Sequence, residues 1–239
     1  MTTELDTLGG KTILVVSPHP DDETYGCGGL MARAVKAGAR VCVLVISAPE
    51  SLVQVSETNA AVGGDIRTAE FEHAMDRLDV TERCILHTSD AVHMRLDQTP
   101  QLELVGWIEH SAPLSIEQVR PDILCLPAAS YNQDHAAVFK AGVAACRPHL
   151  REHKAFCPTV LIYEQPQLHW GSTAFRPSVY VDISGVLSDK IEALAAYASQ
   201  IRHDPHHGSL DNVERLARFR GSEISVSAAE AFECLRMVI

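Results

Sequence analysis

Two short segments carry the residue types that metal-assisted hydrolysis needs. Ser17-Pro18-His19-Pro20-Asp21-Asp22-Glu23 places one imidazole and three carboxylates directly after the apolar run Ile13-Leu14-Val15-Val16. Tyr131-Asn132-Gln133-Asp134-His135 adds a second histidine after another apolar run, Ile123–Leu126. An acidic triplet beside a proline is by itself an ordinary solvated turn, but both segments stand where a buried strand ends. Ligands of open α/β sheets collect outside the carboxyl ends of the strands. His19, Asp22 and His135 together supply two imidazoles and one carboxylate, a set suited to catalytic zinc with one position open. Zinc lowers the pKa of its water to about 7, and a neighbouring carboxylate can take the remaining proton as that water attacks a carbonyl carbon. Asp21 is the candidate base. Its competing role is a cap for the helix that follows, since aspartate suits that position and the helix dipole.

The elements that must position these residues are legible in the apolar pattern. Thr12–Ser17, Val41–Ser47, Cys84–His87, Asp122–Leu126, Val160–Tyr163 and Val179–Asp182 read as strands. Gly28–Ala37, Asp65–Leu78, Leu102–Val119, Ala136–Cys146, Leu187–Ile201, Asn212–Gly221 and Ala228–Met237 read as helices, the first stopped by Gly38. The alternation predicts an α/β fold with a mostly parallel sheet and helices on both faces, doubly wound. Gly26-Cys27-Gly28-Gly29 does not match the dinucleotide fingerprint, and Asp21–Glu23 would repel a pyrophosphate. These glycines are expected to turn the chain behind the ligands and to let the helix approach the sheet.

At 239 residues and 46% apolar, the chain is read as one domain spanning 1–239. Twenty basic against 31 acidic residues give −11, a field that repels nucleic acid and anionic membranes. The seven cysteines form no CxxC pair and read as reduced thiols of a cytoplasmic protein. No apolar run approaches the roughly 18 residues of a membrane span, and Met1-Thr2-Thr3-Glu4 lacks a signal-peptide pattern. His73, His87, His93, His110, His149, His153 and His169 have no partner pattern, and Trp170, Phe175 and Tyr163-Glu164 read as core or rim rather than sugar platforms.

The pair Pro18-His19-Pro20-Asp21-Asp22-Glu23 and Gln133-Asp134-His135 resembles the PIG-L/LmbE-like zinc-dependent N-deacetylase family. The likeness extends to Arg67 and Glu70, to Asp189–Leu194 with Ser199-Gln200, and to Arg220-Gly221 with Ala229–Phe232. The resemblance implies a Rossmann-like fold and removal of an N-acetyl group from an amino sugar or glycoside, a small-molecule substrate. It implies His19, Asp22 and His135 as zinc ligands, Asp21 as general base and Arg67 as a substrate contact. From the residues alone, Arg67 reads as a surface ion pair with Glu70 or Glu72. Many members carry a histidine where this chain has Asn132, and that histidine assists the tetrahedral intermediate or protonates the leaving amine. An asparagine amide can donate to an oxyanion but cannot deliver a proton. Pro205-His206 matches a Pro-His segment of members that also carry asparagine, so His206 is the expected acid. The same machinery admits an amidase of larger thiol-pathway conjugates, and Asn132 alone favours a non-catalytic sugar-binding homologue. A homo-oligomer is left open.

Overall fold

The computed structural model describes residues 7–51, 53–55, 60–166 and 174–239. Met1–Glu4, His169 and Trp170 lie outside the described residues. The core unit is the one the apolar runs predict: β1 (Thr12–Ser17), α1 (Asp22–Lys36) and β2 (Arg40–Ala48), followed by α2 (Gly64–Arg77) and β5 (Glu82–Thr88). A two-stranded antiparallel hairpin, β3 (Val53–Val55) with β4 (Ala60–Val62), precedes α2. The chain then crosses back through α3 (Gln101–Gly106), a π-helical turn (Trp107–Ser111) and α4 (Ile116–Val119) to β6 (Ile123–Pro127), α5 (Gln133–Ala145) and β7 (Thr159–Tyr163). The remainder adds β8 (Val179–Asp182), α6 (Leu187–Ala195), α7 (Leu210–Ser222) and β9 (Ala229–Met237).

The main sheet has the order β5-β2-β1-β6-β7-β9-β8. The first five strands are parallel, and β9 runs antiparallel to both β7 and β8. From β1 the chain builds outward to β2 and β5, then returns to lay β6 against the other side of β1, with Ile13 opposite Ile123 and Val15 opposite Cys125. That reversal is the topological switch point, where open α/β sheets form their binding crevice.

Both sheet faces are covered, because alternate residues of β1 enter different cores. Ile13 and Val15 pack with Leu30 and Met31 of α1, Phe71 and Met75 of α2 and Tyr197 beyond α6. Leu14 and Val16 pack with Leu104 of α3, Ile116 of α4 and Val138 of α5. Full burial of each such side chain contributes about 1.5–3 kcal/mol.

Four expectations need correction. Ala228–Met237 is not a helix but strand β9. Its Ala, Glu, Leu, Arg and Met residues favour helix, but insertion between β7 and β8 overrides that preference. The helix expected at Gly28 begins at Asp22, so the glycines lie inside α1 rather than in a turn. Their close-approach role holds: a Cβ on Gly26 would lie 2.1 Å from the Tyr163 ring, and one on Gly29 2.6 Å from Ile183. The stretch Leu102–Val119 is broken, since Pro113 forces Ala112 into an extended conformation, ψ 151°. Finally, the helix expected over Leu187–Ile201 ends at Ala195, and the next residues form the turn that carries Tyr197 and Ser199.

Candidate metal centre and cleft

The two sequence segments meet at the switch point because they leave adjacent strands. His19 lies in the link between β1 and α1, Asp22 is the first residue of α1, and His135 is in the first turn of α5, after β6. All three are buried, and their ligating atoms lie within 4.8 Å of one another. Asp22 Oδ2 is 3.4 Å from His19 Nδ1 and 3.2 Å from His135 Nε2.

The cluster fits a divalent cation by its donor set, two imidazoles and one carboxylate with His135 Nε2 facing Asp22, and by its charge. Burial would push the His19 pKa down, yet hydrogen bonds to Asp134 and Asp22 outweigh it and raise it to about 9. The protein thus concentrates negative charge where these ligand atoms converge. Burial pushes Asp22 up, but the charge and hydrogen bond of His135, with His19 behind it, hold it well below the usual carboxylate range.

Supporting contacts fix the ligands. His19 Nε2 lies 2.9 Å from Oδ2 of Asp134, whose side chain is fully buried, and Asp134 Oδ1 accepts the Leu96 N–H at 3.0 Å. Carboxylates in this position orient a ligating imidazole and increase its basicity. Gln165, buried after β7, donates from Nε2 to Asp22 Oδ1 at 2.6 Å. The His93 ring meets His19 edge-on at 5.0 Å, with Nδ1 3.3 Å from Ser47 Oγ. Burial, with the His19 charge, pushes His93 down to about 4.

Asp21 is held apart from the ligands. It sits at φ 117°, a conformation that costs a non-glycine residue about 1–3 kcal/mol and persists only where surroundings enforce it. Its carbonyl accepts from Thr24 and Tyr25 N–H, but its side chain makes no cap bond, so the helix-cap reading does not hold for the carboxylate. Burial pushes that carboxyl up to about 8 against the pull of the Arg67 guanidinium. Arg67 is buried rather than on the surface. Its Nη2 donates to Pro20 O and lies 3.4 Å from Asp21 Oδ2, while Nη1 is 3.2 Å from Glu70 Oε2; Glu72 pairs with Arg83 instead.

Asp21 and Asp22 open onto a cleft of about 310 Å³ walled by Tyr25, Tyr131, Gln200, Arg202 and the His206–Gly208 turn. Gly208 N–H donates to His206 Nδ1 at 3.0 Å, so the neutral ring carries its proton on Nε2. Tyr25 OH ties this turn to α1 through Gly208 O at 2.9 Å. Asn132 caps α5, its Oδ1 accepting from Asp134 N–H at 2.9 Å, which leaves its amide nitrogen as donor. Tyr163 is core, its OH donating to Val16 O at 3.1 Å, and Phe175 packs at the margin of the second core.

Lys190, Arg220, Gly221 and Glu230 belong to the scaffold. Lys190 Nζ meets Glu230 Oε1 at 2.6 Å in a buried pair whose carboxylate also accepts Gly29 and Leu30 N–H at 2.7 Å each. Arg220 pairs through two nitrogens with Glu164. A Cβ on Gly221 would meet the Ala228 backbone at 2.7 Å.

A doubly wound sheet with a buried two-histidine, one-aspartate cluster at its switch point, opening onto a polar cleft, is the architecture of a metal-dependent α/β hydrolase. The family model described as PIG-L, GlcNAc-PI de-N-acetylase, matches residues 14–146, more than half of the chain, and the chain belongs to that family. It is 30% identical over 176 residues to YaiS, an uncharacterized deacetylase of Escherichia coli, covering 72% of this chain and 82% of the relative. It is 27% identical to a probable N-acetyl-alpha-D-glucosaminyl L-malate deacetylase of Bacillus cereus, covering 80% and 84%. A conserved protein of Thermus thermophilus, solved by crystallography, shares the fold with TM-score 0.73 and 26% identity over 96% of both chains. Among the described residues, no helix is long and apolar enough to cross a membrane.

Proposed function

We propose that this protein is a zinc-dependent N-deacetylase that releases acetate from an N-acetylated amino sugar or glycoside. The observation that carries the reading is the His19–Asp22–His135 cluster with the Asp21 carboxylate beside it at the mouth of the cleft. Zinc, held by two imidazoles and one carboxylate, supplies a Lewis acid for the amide carbonyl and the attacking water. Asp21 takes the proton of that water. The Asn132 amide, held by its cap bond, donates to the oxygen that becomes negative as the carbonyl is attacked. His206, in the cleft wall, would protonate the departing amine from Nε2 as the doubly protonated imidazolium and return to the neutral ring, a role that requires the Gly208 N–H to leave Nδ1 when the ring gains its second proton. Arg67, whose donors meet Pro20 O, Asp21 and Glu70, serves the base before the substrate. The names of the relatives support an N-acetylglucosaminide. The charge of −11 argues against nucleic-acid partners, and seven cysteines without a CxxC pair favour a cytoplasmic enzyme.

The test is metal analysis followed by acetate release from N-acetylglucosamine, N,N′-diacetylchitobiose and N-acetylglucosaminyl malate, with and without chelator. The expected result is one zinc per chain and chelator-sensitive release from at least one sugar, lost in Asp21→Asn. Stoichiometric zinc with no hydrolysis of any sugar would overturn the reading. Near-wild-type turnover of His206→Ala, with Asp21→Asn inactive, would remove His206 as the acid.

A further inference from the structure

Asp21 is held from two sides by one turn of chain just beyond α6. On one side, Tyr197 OH donates to Glu23 Oε1 at 2.5 Å, and Glu23 Oε2 accepts the Asp21 N–H at 3.1 Å. Glu23 and Tyr197 are both fully buried. On the other side, Ser199 donates to Glu70 from both its N–H and its hydroxyl, each at 2.7 Å. Glu70 accepts from Arg67 Nη1, and Arg67 Nη2 reaches the Asp21 carboxylate. The Arg67 guanidinium also lies over the Tyr197 ring, 5.8 Å from its centroid, so the two chains of contacts touch midway. One ends on the backbone amide of Asp21 and the other on its carboxylate. Those are the two handles needed to keep an aspartate at φ 117° with its side chain off the helix cap. The same turn runs on to Gln200 and Arg202 in the cleft wall.

We propose that Tyr197 and Ser199 are positioning residues for the reaction, acting through Glu23 and through Glu70–Arg67 to hold Asp21 in its strained, productive conformation. This rests on the reading of Asp21 as the base. Neither residue lines the cleft. Misplacing a reacting group by about 1 Å can cost on the order of 100-fold in rate, so loss of either hold acts on kcat and spares KM and the metal.

Crystal structures and kinetics of Tyr197→Phe, Ser199→Ala and the double variant test this, with acetate release from N-acetylglucosamine and N,N′-diacetylchitobiose as the activity readout. Ser199 is only half-buried, so Ser199→Ala stands should Tyr197→Phe fail to fold. In the variants Asp21 is expected to leave positive φ or to part from Arg67. On the sugar that the wild type hydrolyses, kcat is expected to fall roughly 10- to 100-fold, with KM within about twofold and zinc content unchanged. Ser199→Thr, which keeps the hydroxyl, is expected to restore turnover, and Tyr197→Phe is expected to add nothing in an Asp21→Asn background. An Asp21 unmoved in the double variant, or in Ser199→Ala if that alone folds, would overturn the proposal, as would an unchanged kcat. Wild-type turnover in Asp21→Asn would overturn the base assignment instead, and the crystal structures would still decide whether the turn holds Asp21.

Discussion

Asp134→Asn changes one atom type in a fully buried side chain that accepts two hydrogen bonds, one from each oxygen. Oδ2 receives His19 Nε2 at 2.9 Å, and Oδ1 receives the Leu96 N–H at 3.0 Å. Asparagine has nearly the same shape but only one acceptor oxygen. Whichever way its amide turns, one of the two N–H groups faces an NH2 group. If Leu96 keeps the oxygen, His19 loses the carboxylate that orients it, and metal affinity falls about 10- to 100-fold, or about 1.4–2.7 kcal/mol. If His19 keeps the oxygen, a buried backbone donor is left without a partner, at about 1–3 kcal/mol of stability. Zinc affinity by competition with a chromophoric chelator, paired with urea unfolding of the metal-free protein, reads both outcomes. An affinity within twofold of wild type together with unchanged unfolding would refute the argument.

Gly26→Ala is expected to destabilise the protein by about 1–3 kcal/mol through overpacking, because its Cβ would meet the Tyr163 ring at 2.1 Å and that ring is pinned by Val16 O. Thermal unfolding should show a fall of about 2–4 °C for each kcal/mol. Glu230→Gln leaves buried Lys190 without its counter-charge and is expected to cost about 3–5 kcal/mol in urea unfolding; a change under about 1 kcal/mol would show that the pair does not anchor α1. Zinc at 100 times its Kd is expected to stabilise the wild type by about 2.7 kcal/mol, visible as a rise in Tm that His135→Ala abolishes.

The centre of the fold was legible because its signals are local. Continuous apolar runs at β1, β2 and β6 mark strands buried on both faces, and a histidine or acidic residue at the end of such a run has few other places to go. His19, Asp22 and His135 were therefore readable together, and the structure gathers them. The margins were not legible, since tertiary contacts decide them. Ala229–Met237 has helix-forming composition, and only its place between β7 and β8 makes it a strand. Nothing local distinguishes Gln165, which reaches Asp22 because β7 lies beside β6. His93 joins His19 from a loop after β5, and the sequence carries no spacing that links them. Arg67 reads as a surface residue at helical spacing from Glu70, and it is buried against the Pro20 carbonyl and the Asp21 carboxylate. Asp134 is visible in the sequence only as part of a motif, since its service to His19 depends on a contact spanning 115 positions.

The place of β9 also orders events in time. It follows β8 in sequence, yet it lies between β7 and β8 rather than outside them. During synthesis β8 emerges with no strand to pair against, and it joins the sheet only after Ala229–Met237 has been made. Glu230 arrives with that strand, so the buried anchor for Gly29, Leu30 and Lys190 comes from a segment made after all three. The helix that begins with Asp22 is thus made well before the strand whose carboxylate anchors it.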